Sequence, residues 1–378
     1  MKITDEVTGA NFGDKRLSTR LVTVAEQIAA EPDASFPVAA AGDGALEATY
    51  RFLNNGAVSP ERILGPHVRA TAERVAQAGA AIVAHDTTEL AFPAEGAQVG
   101  WLDGRRRGFF AHVALALTAD GTRRPLGVAG LRTLFRDGKR RDRSKRRRDR
   151  FSPESEEHRW AQMTEKVEAS LGAKGSLIHV MDREADSYRL LSKVVANGWR
   201  IVVRMTSDRI LSKADGLKVS DVIQGGDVVL TREVPLAGRP VPTGSEHKRR
   251  HPPREARIAT LSVSAHRVVL PRTEWAGSDC LPSIDVNVVR VWEAAPPPDA
   301  PAVEWRLLTT EPIGTAEDIA RVVDAYRARW GDRGVLQGTE DRLRARAATA
   351  GKPARHRERP CCLCADRVAT PRAARSLA

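Results

Sequence analysis

Two aspartates draw attention through the residues that precede them. Asp86 follows the apolar run "AIVAH" and Asp182 follows "LIHVM", so each carboxylate is expected at the end of a buried strand. In open α/β sheets that rim is where ligands bind. Two such strands lying side by side can share one divalent cation or a pair. Hard oxygen donors suit Mg2+ (or Mn2+), which keeps several waters and is completed by substrate phosphates. The chemistry such a site supports is phosphoryl transfer, with metal activating the attacking oxygen and stabilising the leaving one. A plainer role stays open on position alone, because "DTTE" and "DREAD" would each let the aspartate cap a turn or the next helix.

The elements that must hold these carboxylates can be read from hydrophobic period. Residues 1–78 read as a helical DNA-binding domain. In "DKRLSTRLVTVAEQIAAE", Leu17, Leu21, Val24, Ala25 and Ile28 form one stripe, and Lys15, Arg16 and Arg20 lie away from it as a basic face. Helices follow at "GALEATYRFLNN" and around "PERILGPHVRATAERVAQAG". From 79 to 205 the period changes to strands, first in succession ("AAIVAHDTTEL", "GFFAHVALALTA", "RPLGVAGLRTLF"), then alternating with helices ("GSLIHVMDREAD", "ADSYRLLSKVVANG", "WRIVVRMTS"). That order indicates a mixed α/β core. Residues 206–300 carry short β-like runs broken by Gly and Pro and read as a β-rich insertion. Residues 301–330 return to the core with "EWRLLTTEP" and the amphipathic helix "TAEDIARVVDAYRARW". The tail, 331–378, is rich in Arg, Ala and Pro with little periodicity and is expected to be poorly ordered.

Charge narrows the partner. The 378 residues carry a net charge of +12 at pH 7, which suggests a polyanion, most simply nucleic acid. The densest block, "RDGKRRDRSKRRRDR" at 136–150, is either a solvated loop or a phosphate-contacting one. Of four cysteines, three (Cys361, Cys362, Cys364) crowd the tail, which fits neither a disulfide framework nor an ordinary zinc site. No run approaches the ~20 apolar residues of a membrane span. "MKITDEVTGANFGDKR" lacks the apolar core of a signal peptide, so a cytoplasmic, nucleoid-associated protein is expected.

Taken in order, "GDKRLSTRLVTVAEQIA", "ATYRFLNN", "HDTTEL", "RRGFFAHVALAL", "MDREADSY" and "YRARW" resemble the insertion-sequence-four family of bacterial DDE transposases, the family of the transposon-five transposase. The resemblance runs from residue 11 to residue 330. It implies an RNase H-like core in which Asp86 and Asp182 are metal-binding, catalytic carboxylates for Mg2+ (or Mn2+). It implies that Tyr326 and Arg329 open a tyrosine–arginine–glutamate–lysine signature that contacts DNA phosphates. Trp305 matches the family's tryptophan that stacks on a base flipped from the transposon end; a core aromatic is the plainer reading of it. Arg204, Lys15, Arg16 and Arg20 join the DNA-contacting candidates. The implied partner is the double-stranded DNA of the terminal inverted repeats, bound by a homodimer. The implied reaction is cut-and-paste transposition, in which metal-activated water cleaves one strand and the freed 3′-hydroxyl attacks the other.

This sequence departs from the family after Trp330. The glutamate expected seven residues after the tyrosine is Arg333, and the lysine expected fourteen after it is Glu340. Both spacings return to nearly one helix face, so the requirement is physical. An arginine cannot ligate Mg2+. Back-translation with permitted codons, with one G deleted after the Trp330 codon, gives E-I-E-E-F-F-K-A-L-K-T-G, which restores a glutamate in the slot of Arg333 and a lysine in that of Glu340. A one-base insertion is therefore the expected origin of residues 331–378, and the cysteine cluster would then be out-of-frame translation. On this reading the chain is a transposase impaired in catalysis. Two other classes stay in view: a non-catalytic DNA-binding relic or inhibitor of transposition, and a phosphohydrolase of small esters, for which "DTTE" lacks a second aspartate.

Overall fold

The computed structural model describes residues 2–92, 99–102, 106–136, 158–236, 238, 253–298, 300 and 302–329. The basic block beyond Arg136, and the tail with Arg333, Glu340 and the cysteine cluster, lie outside them. Four helices, α1 (Ile3–Val7), α2 (Lys15–Ala30), α3 (Phe36–Ala39) and α4 (Asp43–Leu53), open the chain. They gather Ala10, Phe12, Leu21, Phe52 and Leu53 into a small core of their own, with Phe12 edge-on to Phe52. Helix α5 (Pro60–Ala78) begins and ends where its residues dictate. Ser59 accepts from the Arg62 amide, Pro60 takes the first turn, and Gly79 closes the helix at φ +71°. Ile63 at its start packs on the small core, while Ala72 and Val75 near its end pack on the sheet.

Among the described residues nine strands form one mixed sheet: β1 (Ala80–Phe92), β2 (Arg107–Thr118), β3 (Pro125–Leu134), β4 (Ser176–Met181), β5 (Arg200–Arg204), β6 (Leu230–Leu236), β7 (Arg257–Pro271), β8 (Ser283–Glu293) and β9 (Glu304–Thr309). Their order is β3-β2-β1-β4-β5-β9-β8-β7-β6. Only β1–β4 and β4–β5 are parallel. The stretch read as a β-rich insertion thus lengthens the core sheet, because β8 pairs with β9 along six residues. Helices α6 (Arg159–Val167), α7 (Tyr188–Ala196) and α8 (Val219–Gln224) cover one face.

The other face holds helix α9, residues 316–329. Thr315 and Asp318 cap its start reciprocally, amide to side chain at 3.0 and 3.1 Å. Ile319, Val322, Val323, Ala325, Tyr326 and Ala328 are all buried, in one cluster with Leu115 and Leu117 of β2 and with Val234 and Leu236 of β6. Strands from near both margins of the sheet therefore touch the same helix. The sheet curls around α9, which explains why apolar residues extend beyond the stripe of an ordinary surface helix.

Candidate active site

Asp86 does not end its strand, as its apolar approach suggested. Strand β1 continues to Phe92 because β2 pairs with it from Ala81↔Thr118 to Phe92↔Arg107. The parallel partner β4 leaves the ladder after Ala84↔Val180. Asp86 thus stands just past the point where one neighbour is lost, with an open flank. Alternation places it on the face of Ile82 and Ala84, which pack in the α9 cluster. Asp182 follows Met181, the last residue of β4, and caps the 3₁₀ turn Arg183–Ala185 by accepting from the Arg183 amide through Oδ1. The capping reading of this residue is what the structure shows, and its Oδ2 is directed elsewhere.

What it meets is Arg329. One guanidinium nitrogen, Nη2, lies 2.8 Å from Asp86 Oδ1 and 3.0 Å from Asp182 Oδ2. The Arg329 side chain is 3% exposed and the two carboxylates 25% and 29%. Two hard oxygens from separate strands converge on a point already held by a positive charge, a donor set that fits a divalent cation. Among the described residues, no group of three or more His, Cys, Asp or Glu completes a metal site.

One turn earlier on α9, Tyr326 is fully buried. Its ring lies 5.6 Å from that of Trp305, tilted by 58°. No hydrogen bond of good geometry reaches its hydroxyl from a described residue, though the Arg204 guanidinium lies within donating range. Burial pushes the phenol above its ordinary value and Asp182 adds to this, while the Arg204 and Arg329 guanidiniums pull the other way. Trp305 is half-buried in β9, against the α9 cluster. Arg204, the last residue of β5, donates from Nη2 to the Glu304 carbonyl at 3.2 Å. The structure therefore brings Asp86, Asp182 and Arg329 together and stations Tyr326, Trp305 and Arg204 beside them. Lys15 and Arg16 are exposed on α2, in the N-terminal bundle, and Arg20 is half-exposed there. Arg16 pairs with the helix-capping Asp14 at 2.9 Å.

Three further features were not anticipated. Asp186 of "DREAD" has a fully buried carboxylate that pairs with Arg209 and accepts from the Thr206 amide at 2.7 Å. It ties the loop after β5 to the turn that carries Asp182; the acidic residue was visible in the sequence, its distant partner was not. On the opposite face of the sheet, His85, His112 and His179 form a fully buried row. His85 Nε2 is 2.9 Å from His179 Nδ1, His179 Nε2 is 3.0 Å from Glu168, and His112 Nδ1 is 2.9 Å from the Thr87 hydroxyl. Third, Glu6 of α1 is buried and reaches Arg74 at 2.9 Å and His67 on α5, while His67 Nε2 accepts from the Val128 amide of β3 at 2.8 Å. Alternation and helical period flag none of these, because each joins residues far apart in the chain.

The site thus brings together two carboxylates, an arginine and two aromatics. Residues 2–58 match the transposase DNA-binding family model. The matched segment covers α1 to α4 and stops just before the Ser59 cap of α5. The match concerns this N-terminal segment. Among solved structures, a similar one is the cryo-EM structure of the piggyBac transposase synaptic complex with hairpin DNA, at 10% identity and a TM-score of 0.32. The alignment covers 83% of this chain and 57% of that transposase. No helix among the described residues is long and apolar enough to cross a membrane.

Proposed function

We propose that this chain is a cut-and-paste DNA transposase of the DDE kind, similar to the insertion-sequence-four family, acting at transposon ends and impaired in catalysis. The observation that carries the reading is the convergence of Asp86 and Asp182, from different strands, on one nitrogen of Arg329. In this reading α1 to α4 hold the end DNA, with Lys15, Arg16 and Arg20 toward phosphates, and a homodimer pairs two ends. The curled mixed sheet serves as the RNase H-like core.

Asp86 and Asp182 would hold Mg2+ or Mn2+, and the bound cation supplies the charge that activates an attacking oxygen and eases departure of the leaving one. Arg329 holds the two carboxylates in register and offers its guanidinium to a scissile phosphate. Tyr326 and Trp305 form a buried aromatic wall beside it. The half-buried Trp305 is poised to stack on a base taken out of the duplex, which offsets part of the few kcal/mol that unstacking costs. Catalysis is weak in this reading because the slot expected for a third carboxylate is Arg333.

The test is a strand-nicking assay on the element's own end DNA with Mg2+ or Mn2+, alongside a gel-shift titration. We expect binding with little or no nicking, and efficient nicking would overturn the impairment. Nicking restored by the one-base-deleted reading frame, and lost again on D86N or D182N, would support the assignment in full. A second reading, a non-catalytic DNA-binding relic, is favoured by the guanidinium seated on both carboxylates; binding without nicking in both reading frames would select it.

A further inference from the structure

The turn between β2 and β3, strand β6 and helix α9 meet at a cluster outside the site described above. Asp324 of α9 is reached by three guanidiniums: Arg123 Nη2 at 3.9 Å, Arg232 Nη1 at 2.9 Å and Arg327 Nη1 at 3.4 Å. These come from three distant stretches of chain. Within the cluster one negative charge faces three positive ones, so two positive charges are uncompensated. Burial lowers the proton affinity of the Arg327 guanidinium, and crowding by Arg123 and Arg232 adds to this while Asp324 opposes it. The side chains are 30%, 31% and 21% exposed for Arg123, Arg232 and Arg327, and 40% for Asp324. The cluster is thus neither a sealed core network nor a set of free surface charges.

Arg123 adds an independent sign. At φ +56° it is the one non-glycine residue with positive φ among the described residues. A long side chain in that region carries a local cost, and such outliers persist where the surroundings impose them, often at ligand sites. Here the strained backbone presents a guanidinium to the cluster. Asp324 precedes Arg329 by five residues, which places it about 7.5 Å back along the helix axis.

We propose that Arg123, Arg232 and Arg327 form a binding site for a DNA backbone phosphate, in which Asp324 is the resident anion that a phosphate displaces or joins. Guanidiniums suit this ligand because their planar forks match phosphate oxygens. The proposal rests on the DNA-transposase reading and adds a point of attachment at the core, outside the N-terminal bundle. A phosphate held here would fix the strand that runs toward the two aspartates.

The test measures affinity of the full chain for a duplex of arbitrary sequence, long enough to span the protein, across a range of salt concentrations. R123Q, R232Q and R327Q should each weaken binding and flatten the slope of log K against log salt by about 0.9 for each phosphate no longer neutralised. D324N should instead raise affinity several-fold, because it removes the competing anion. Thermal denaturation of the same variants separates binding from folding. Unchanged slopes in all three arginine variants, with D324N weakening the fold and leaving affinity as it was, would make the cluster a mere clamp between sheet margins and overturn the proposal. If the unaltered chain binds duplex DNA with no salt dependence, the DNA reading itself fails. If that chain binds normally and only the variant slopes stay unchanged, this site alone fails.

Discussion

At the scale of single residues, Arg329 has the most consequential surroundings. It is nearly inaccessible to solvent and neutralises two carboxylates that face each other across strands. Replacing it leaves two partly buried negative charges without their shared partner, a loss of about 3 kcal/mol. R329Q is therefore expected to melt earlier than the parent. Because the substitution vacates the point where both oxygens converge, Mn2+ should raise the melting temperature of R329Q more than that of the parent. Equal metal responses in the two proteins would contradict the idea that guanidinium and cation compete for one place. Tyr326 gives the opposite case. Its hydroxyl is buried with only a poorly aligned contact from Arg204 among the described residues, and a buried hydroxyl without a good partner costs about 1–3 kcal/mol. Tyr326→Phe is expected to keep or modestly increase stability. A drop in melting temperature would show that the hydroxyl is held, by Arg204 or by something beyond the described residues.

At the scale of elements, the histidine row joins β1, β2 and β4 through the face away from α9. His112 is pushed down to about 3 from an ordinary 6.5, first by burial and then by Arg159 and Arg132. His85 is lowered well below 6.5, by burial and then by His179 and His112. Both are neutral in the fold and gain protons more readily when it opens. Their contribution to stability is complete above pH 6.5 and is lost as pH falls through the interval below it, which for His112 reaches down to about 3. Each histidine adds up to about 1.4 kcal/mol per pH unit in that interval. Between pH 6.5 and 5, before most carboxylates titrate, the melting temperature should fall measurably. H112Q should flatten that fall, whatever its effect at neutral pH, and an unchanged slope would rule out this source.

These elements also show what sequence could and could not disclose. Asp14, Ser59 and Gly79 mark the bounds of α2 and α5 openly, and the period of "TAEDIARVVDAYRARW" gave α9. The two aspartates were legible because each ends an uninterrupted apolar approach. Yet β1 runs six residues past Asp86, since its extension depends on pairing with β2, a non-local fact. The curl of the sheet was equally hidden. Alternation along β6 reports one buried face and along β7 and β8 a face that changes partway, but not which helix buries it.

At the scale of the whole molecule, the N-terminal bundle is fastened to the sheet through Glu6. Burial raises the Glu6 carboxyl, but hydrogen bonds from Arg74 and His67 and their charges more than offset this, so its pKa lies below the ordinary value. The sign follows: this fastening is fully present above about pH 4.5 and is lost as pH falls through the lower folded value. E6Q removes the charge while keeping the shape, at a cost of about 2 kcal/mol. We expect limited proteolysis to release the 2–58 segment from E6Q faster than from the parent, with the sheet remaining intact. Equal rates would mean that apolar packing along α5 alone joins the two parts.

The curled sheet has a consequence for how the chain is made. A ribosome releases all nine strands before it releases α9, and α9 is what fills the trough they form. Until residue 329 emerges, the apolar residues of β1, β2 and β6 to β9 that face α9 have nothing to close upon, and Asp86 and Asp182 lack the arginine that holds them together. Long-range pairing of this kind is slow and exposes apolar surface meanwhile. The last element synthesised among those described is thus the one that completes core and site together. A nascent chain halted before residue 316 would present an open apolar channel, a ready substrate for chaperones rather than a partly working enzyme.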